Sequence, residues 1–128
     1  MIKKILSYEI ISKIGIGGMG VVYKARHTIS GKIVAIKSLS PQFIDDNDVR
    51  ARFINEANIL SKLKHPNIVE IIDLIELPDE LHLVMEYVEG RTLSKIIGQE
   101  IGPIPYQRAL PIFNQILDGI SFAHKQGI

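Results

Sequence analysis

Hydrophobic and polar positions alternate from Tyr8 to Ile14, with Ile10, Ser12 and Ile14 on one side, the period of a half-buried strand. Gly15-Ile16-Gly17-Gly18-Met19-Gly20 interrupts the alternation, and the β-branched run from Val21 to Arg26 restores it. Ser30-Gly31 is a turn signal, and Lys32 to Leu39 reads as a third strand of an antiparallel meander. The period then changes. Acids from Asp45 to Asp48 suit the start of a helix, and apolar residues at 49, 53, 57 and 60 follow the 3.6-residue repeat of one buried face. His65-Pro66-Asn67 is expected to end that helix. Two more strands follow, Ile68 to Glu76 and Leu81 to Tyr87, joined by the turn Leu77-Pro78-Asp79-Glu80.

Glu89-Gly90 breaks the strand pattern. Thr92 to Ile97 suggests a short helix, and Gly98 to Pro105 a loop. Ala109 to Ala123 carries apolar residues at 109, 110, 112, 113, 116, 117, 120 and 123, a second long helix with a broad hydrophobic face. Pro111 lies inside that run. Proline costs ~3 kcal/mol in a helix interior but little in the first turn, so the regular helix is expected to begin near residue 110. The prediction is an α+β fold with five antiparallel strands and one long helix, then two helices of a second, helical part. The boundary falls between segments 1–88 and 89–128.

Composition narrows the functional classes. With 15 basic and 14 acidic residues, the charge offers no electrostatic case for nucleic acid as a partner. The absence of cysteine excludes disulfides and thiolate metal sites. His27, His65, His82 and His124 are scattered without ligand spacing, which favours structural roles and predicts no metal site. Glu9, Ser12 and Lys13 interrupt the N-terminal apolar stretch before a signal-peptide core could form, and no run approaches the ~18 apolar residues of a membrane span. A soluble, cytoplasmic chain is expected.

Chemistry concentrates in three places. The glycine-rich segment fits a dinucleotide turn, a phosphate loop or a flexible hairpin. A dinucleotide turn requires a helix after the glycines and an acid about 20 residues on. Here a strand follows Gly20, and Lys37 stands 20 residues after Gly17. The Gly-Lys-Ser/Thr of another common phosphate loop is absent. Lys37 closes Val34-Ala35-Ile36-Lys37, and strand alternation puts Ala35 and Lys37 on one face. A small residue there leaves room for a flat ligand, with a cation one step further. Taken alone, a lysine at a strand end is ordinarily a solvated charge. Glu56 lies three residues after Phe53 and four before Leu60, so it shares the apolar stripe of its helix. A carboxylate on such a stripe needs a partner or water, and Lys37 is the natural partner.

Gly15-x-Gly17-x-x-Gly20-x-Val22, Val34-Ala35-Ile36-Lys37 and Glu56 together resemble, in order and spacing, the motif set of protein kinases. The resemblance continues through His65-Pro66-Asn67-Ile68-Val69, Leu83-Val84-Met85-Glu86-Tyr87-Val88-Glu89-Gly90 and Ala123-His124-Lys125-Gln126-Gly127-Ile128. The run Gly-Gly-Met-Gly-Val-Val-Tyr-Lys-Ala is similar to the bacterial branch of Ser/Thr kinases. It implies that the backbone from Gly15 to Gly20, Gly17 and Gly18 included, covers the phosphates of ATP. It implies that Lys37 contacts the α- and β-phosphates while Glu56 orients it. Ile14, Val22 and Ala35 would sandwich the adenine, with Met85 as gatekeeper and the Glu86 carbonyl and Val88 amide as hinge contacts. Thr92 stands where some relatives place a ribose-binding acid.

The His-Arg-Asp and Asp-Phe-Gly motifs of the family occur nowhere in the 128 residues. The resemblance therefore implies the ATP-binding portion of a Ser/Thr kinase, without the general base or the Mg²⁺ ligands. Such a chain is expected to be inactive alone and to self-associate through the apolar helix 109–124. Two rivals stand beside this reading: a non-catalytic, partner-binding pseudokinase module and a dinucleotide-dependent oxidoreductase. The intact lysine, glutamate and glycines show no sign of decay, but only downstream sequence separates the first rival from a kinase; the strand after Gly20 argues against the second.

Overall fold

The computed structural model describes residues 4–101 and 104–128, which form two compact units. The first comprises the chain up to Lys64 together with Val69–Tyr87. It holds a six-stranded antiparallel sheet and one long helix. In chain order these are β1 (Lys4–Ile5), β2 (Tyr8–Ile16), β3 (Gly20–His27), β4 (Ile33–Leu39), helix α1 (Asn47–Ser61), β5 (Ile71–Leu77) and β6 (Glu80–Glu86). The spatial order is β1-β2-β3-β4-β6-β5.

Six strands stand where five were expected. The extra one, β1, is a two-residue strand that pairs Lys4 with Glu9 and Ile5 with Tyr8. Two residues are too few to show a period. Leu6 takes the turn between β1 and β2 at a positive φ of 48°, and the buried Ile5 ties the edge to the core. The alternation expected along β2 is also imperfect. Register shifts between Ile10 and Ser12 and between Lys13 and Gly15 leave Ser12, Lys13 and Ile14 exposed.

Strand alternation sorts the sheet residues into two cores. Val34 and Ile36 of β4 face one way and join Ile5, Ala25, Ile75 and Val84. Leu39, Leu81 and Leu83 face the other way, where Phe53 and Ala57 of α1 pack on them. Both faces are thus covered, and four large side chains (Val34, Ile36, Leu81, Val84) are at most 1% exposed. Helix α1 begins where its acids dictate: the Asp46 carboxylate accepts from the N–H groups of Asp48 and Val49, at 3.1 and 3.2 Å. It ends at Ser61, one turn before His65-Pro66-Asn67.

The second unit comprises His65–Ile68 and the chain from Val88 onward. A one-turn helix α2 (Leu93–Lys95), capped by Thr92, runs into a π-helical turn over Ile96–Ile101. The loop expected from Gly98 is therefore helical up to Ile101, and Gly102 and Pro103 lie outside the described residues. Helix α3 spans Tyr106–Lys125, starting one turn earlier than expected. The extended Pro105 accepts at its carbonyl from the N–H groups of Arg108 and Ala109, which launches the helix ahead of Pro111. Pro111 then sits in the second turn, where it lacks the N–H that would reach the Gln107 carbonyl. Gly119 is the buried residue of α3: a Cβ there would lie 3.3 Å from the Asn67 carbonyl, so glycine lets the His65–Ile68 segment lie close. The rings of His65 and Phe122 meet at 5.1 Å in the same contact. Among the described residues, no helix is long and apolar enough to cross a membrane.

Candidate functional site

The register of the sheet assembles the site. Val22, Lys37 and Leu83 are cross-strand partners on β3, β4 and β6, and Lys24, Ala35 and Met85 form the neighbouring row. Partners across an antiparallel pair share a face, so Val22, Ala35, Lys37 and Met85 line one side of the sheet. Gly15 extends the first row opposite Val22. Ala35 is buried and Lys37 half-buried, as a cation with an apolar stem against a packed sheet should be.

The glycines divide by role. Gly17 donates to the Gly20 carbonyl at 2.8 Å and closes a hairpin whose tip is Gly18-Met19. Gly17 and Gly18 have room around them: a Cβ at Gly17 meets only the Gly20 carbonyl at 3.8 Å, and one at Gly18 meets nothing within 4 Å. Gly20 differs. A Cβ there would fall 1.9 Å from the Ser38 carbonyl oxygen, so glycine is required for β3 to lie against β4. The Met19 carbonyl accepts from Ser40 N–H at 2.8 Å, and its side chain packs on the core under α1.

The expected ion pair between Lys37 and Glu56 is not formed. Among the described residues Lys37 has no carboxylate within 4.0 Å, and Glu56 is exposed. The cause is helix geometry. Phe53 and Ala57 occupy the centre of the buried stripe of α1, and a residue three positions from Phe53 lies about 60° around the helix from it. Glu56 therefore sits on the flank, where water solvates it without cost. The neighbour of the lysine is Phe53 instead: its ring centroid lies 5.7 Å from Lys37 Nζ.

Glu86 makes two contacts to one residue. Its N–H donates to the Glu70 carbonyl and its Oε1 accepts from Glu70 N–H, both at 2.9 Å. Met85 packs at the margin of the α1 core beside Ile71. Ile14 is 45% exposed, and Val88, in the second unit, is 64% exposed. Lys24 lies 4.8 Å from the centroid of the Tyr87 ring.

Two features had no forerunner in the sequence pattern. One is the Phe53 ring beside Lys37. The other is a buried polar pair: Ser38 Oγ and His82 Nδ1 lie 2.6 Å apart, with His82 Nε2 3.7 Å from Glu80 Oε1. Burial lowers the pKa of His82 below its usual 6.5, with Glu80 opposing in part. The serine and histidine face each other as partners on β4 and β6, so the contact becomes legible only once the register is known. Both are buried, which makes the pair a core contact closed to substrate. His27 and His65 also serve locally, accepting from the N–H groups of Ser30 and Asn67.

The family model for the protein kinase domain matches residues 8–128. The chain belongs to the protein kinase family. It is 41% identical over 130 residues to a probable serine/threonine-protein kinase of Clostridium perfringens, covering all of this chain and 19% of that protein. It is 46% identical over 121 residues to the serine/threonine-protein kinase PrkC of Bacillus subtilis, covering 94% of this chain and 18% of that one. The crystal structure of the Mycobacterium tuberculosis PknI kinase domain superposes with a TM-score of 0.78 at 28% identity, over 95% of this chain and 49% of that one. The chain thus spans about a fifth of the curated relatives and about half of a solved kinase domain. The kinase-like sheet and helix agree with the expected fold class, with the one added strand.

Proposed function

We propose that this chain is the ATP-binding portion of a Ser/Thr protein kinase, which as a complete domain transfers the γ-phosphate of ATP to protein Ser or Thr. The observation that carries the reading is the shared face of Val22, Ala35, Lys37 and Met85 next to the glycine hairpin. An adenine ring is accommodated by a small residue with apolar neighbours, and Ala35, with Met85 in its own row and Val22 in the next, meets that need. Ile14 adds to the sandwich, and the Glu86 carbonyl supplies the edge contact. The triphosphate requires donors that approach closely. The backbone from Gly15 to Gly20 offers them, and Gly17 and Gly18 present no side chain to obstruct the approach. Lys37 supplies the cation for the α- and β-phosphates, with Glu56 as its partner during turnover after α1 has rotated.

Mg²⁺ neutralises developing charge on the β- and γ-phosphates when bound. Among the described residues no three His, Asp or Glu side chains converge on a point. The resemblance puts the general base and the Mg²⁺ ligands in the family's His-Arg-Asp loop and Asp-Phe-Gly motif, neither of which occurs in these 128 residues.

For the chain as given, the exposed apolar face of α3 supports self-association. Phe113, Ile116, Leu117 and Ile120 are 45–55% exposed, and apolar patches of that kind seek a partner. A titration panel of ATP, GTP, NAD and adenosine tests the nucleotide reading. Preferential binding of ATP is expected, and a clear preference for GTP or NAD overturns it.

A further inference from the structure

We propose that Phe53 is the positioning residue of Lys37 in the nucleotide-free chain, holding the ammonium over the face of its ring in place of a carboxylate. The inference rests on the nucleotide-site reading above. Four observations converge on it. Lys37 Nζ lies 5.7 Å from the ring centroid, within the ~6 Å over which a ring quadrupole attracts a cation. The ring is itself fixed, since Phe53 is 2% exposed and packs with Leu39, Ala57, Leu81 and Leu83. Leu83 is also the cross-strand partner of Lys37, so the stem of the lysine and the ring share one packed neighbour. Finally, among the described residues no carboxylate competes: Glu56, on the same helix, is exposed and beyond 4.0 Å.

The chemistry differs from that of an ion pair. A carboxylate would neutralise the lysine and take up one or more of its three N–H donors. A ring face does neither. It limits where the ammonium can go while leaving full positive charge and free donors for an incoming phosphate oxygen. A freely rotating lysine would instead lose the rotamer freedom of its long side chain on binding. Phe53 thus reduces in advance the ordering cost of phosphate capture.

The test compares wild type, Phe53→Leu and a chain carrying pentafluorophenylalanine at position 53, which keeps shape while reversing the ring quadrupole. Affinities for ATP and for adenosine are measured without metal. Both changes are expected to weaken ATP about two- to fivefold, as befits loss of a cation–π contact, and to leave adenosine unaltered. In wild type the ε-CH₂ protons of Lys37 should show a ring-current shift that disappears in Phe53→Leu. If the fluorinated ring binds ATP like wild type, or if adenosine weakens equally, the ring acts by packing and the proposal fails. It fails as well if Glu56→Gln, and not Phe53→Leu, loses ATP. Lys37→Met separates this proposal from the one beneath it. Unchanged ATP affinity in that variant overturns the role of Lys37 in phosphate binding, while the ring-current shift still decides whether the contact exists.

Discussion

The two units of this chain bury their hydrophobic residues to opposite degrees. In the first unit, a sheet covered on both faces leaves Ile36, Leu81 and Val84 without accessible surface. In the second, the long helix α3 buries Gly119 and leaves Leu110, Phe113, Ile116, Leu117 and Ile120 at 40–55% exposure. Apolar content does not distinguish them. The difference lies in whether a second layer is present. A helix can bury its stripe only against another element. Helix α1 has the sheet beneath it, while α3 meets the His65–Ile68 segment of its unit at Gly119 and Phe122 and leaves an open cavity between its Ala109, Ile112, Phe113 and Ile116 and the residues Leu93, Ile97 and Ile104. Stability is therefore expected to reside in the first unit and association in the second.

The largest effect should come from the covered core. Ile36→Ala removes a fully buried side chain and should cost about 2–5 kcal/mol, read as a fall in the denaturation midpoint. A loss below 1 kcal/mol would mean that the core is looser than its burial indicates.

Glycine substitutions sharpen the contrast within one hairpin. Gly20→Ala forces a Cβ into the Ser38 backbone and should destabilise by about 1–3 kcal/mol, as overpacking does. Gly18→Ala meets open space and should stay within about 0.5 kcal/mol. Thermal melts of the two variants check this, and equal shifts would contradict the division of roles.

Acid should act on the first unit through His82. Its folded pKa is lowered, so the unfolded chain binds the proton more readily. Its contribution to stability is complete above pH 6.5, where both states are neutral, and is lost as pH falls from there through the lower folded value. Denaturation midpoints between pH 7.5 and 5.5 should decline, and less so in His82→Gln. Matching profiles would remove the histidine from the account.

The smallest change in stability belongs to α3. Phe113→Ser alters an exposed position and should move the midpoint by no more than about 0.5 kcal/mol. It should nonetheless shift sedimentation toward monomer. A dispersed wild-type monomer would defeat the association proposal at once.

Much of the fold was legible because both periods were. Ala35 and Lys37 were separated from Val34 and Ile36 by alternation alone, and the structure places the latter two in the sheet core. The α1 stripe was found at Phe53 and Ala57 for the same reason. Three features escape the pattern for separate reasons. Glu56 lies within the stripe in sequence, yet about 60° of rotation separates a stripe's centre from its rim. Strand β1 was too short for periodicity, and the start of α3 turned on the carbonyl of Pro105 rather than on the apolar repeat.

Local pattern sufficed for the α+β class, the glycine hairpin, the face shared by Ala35 and Lys37, and membership in the kinase family, because each depends on spacing along the chain. Tertiary structure alone decided what stands opposite the lysine, why Gly20 must be glycine, and that Ser38 meets His82 across 44 residues of sequence. Those are contacts between strands and helices whose register and rotation are set by packing, and packing is a property of the assembled core.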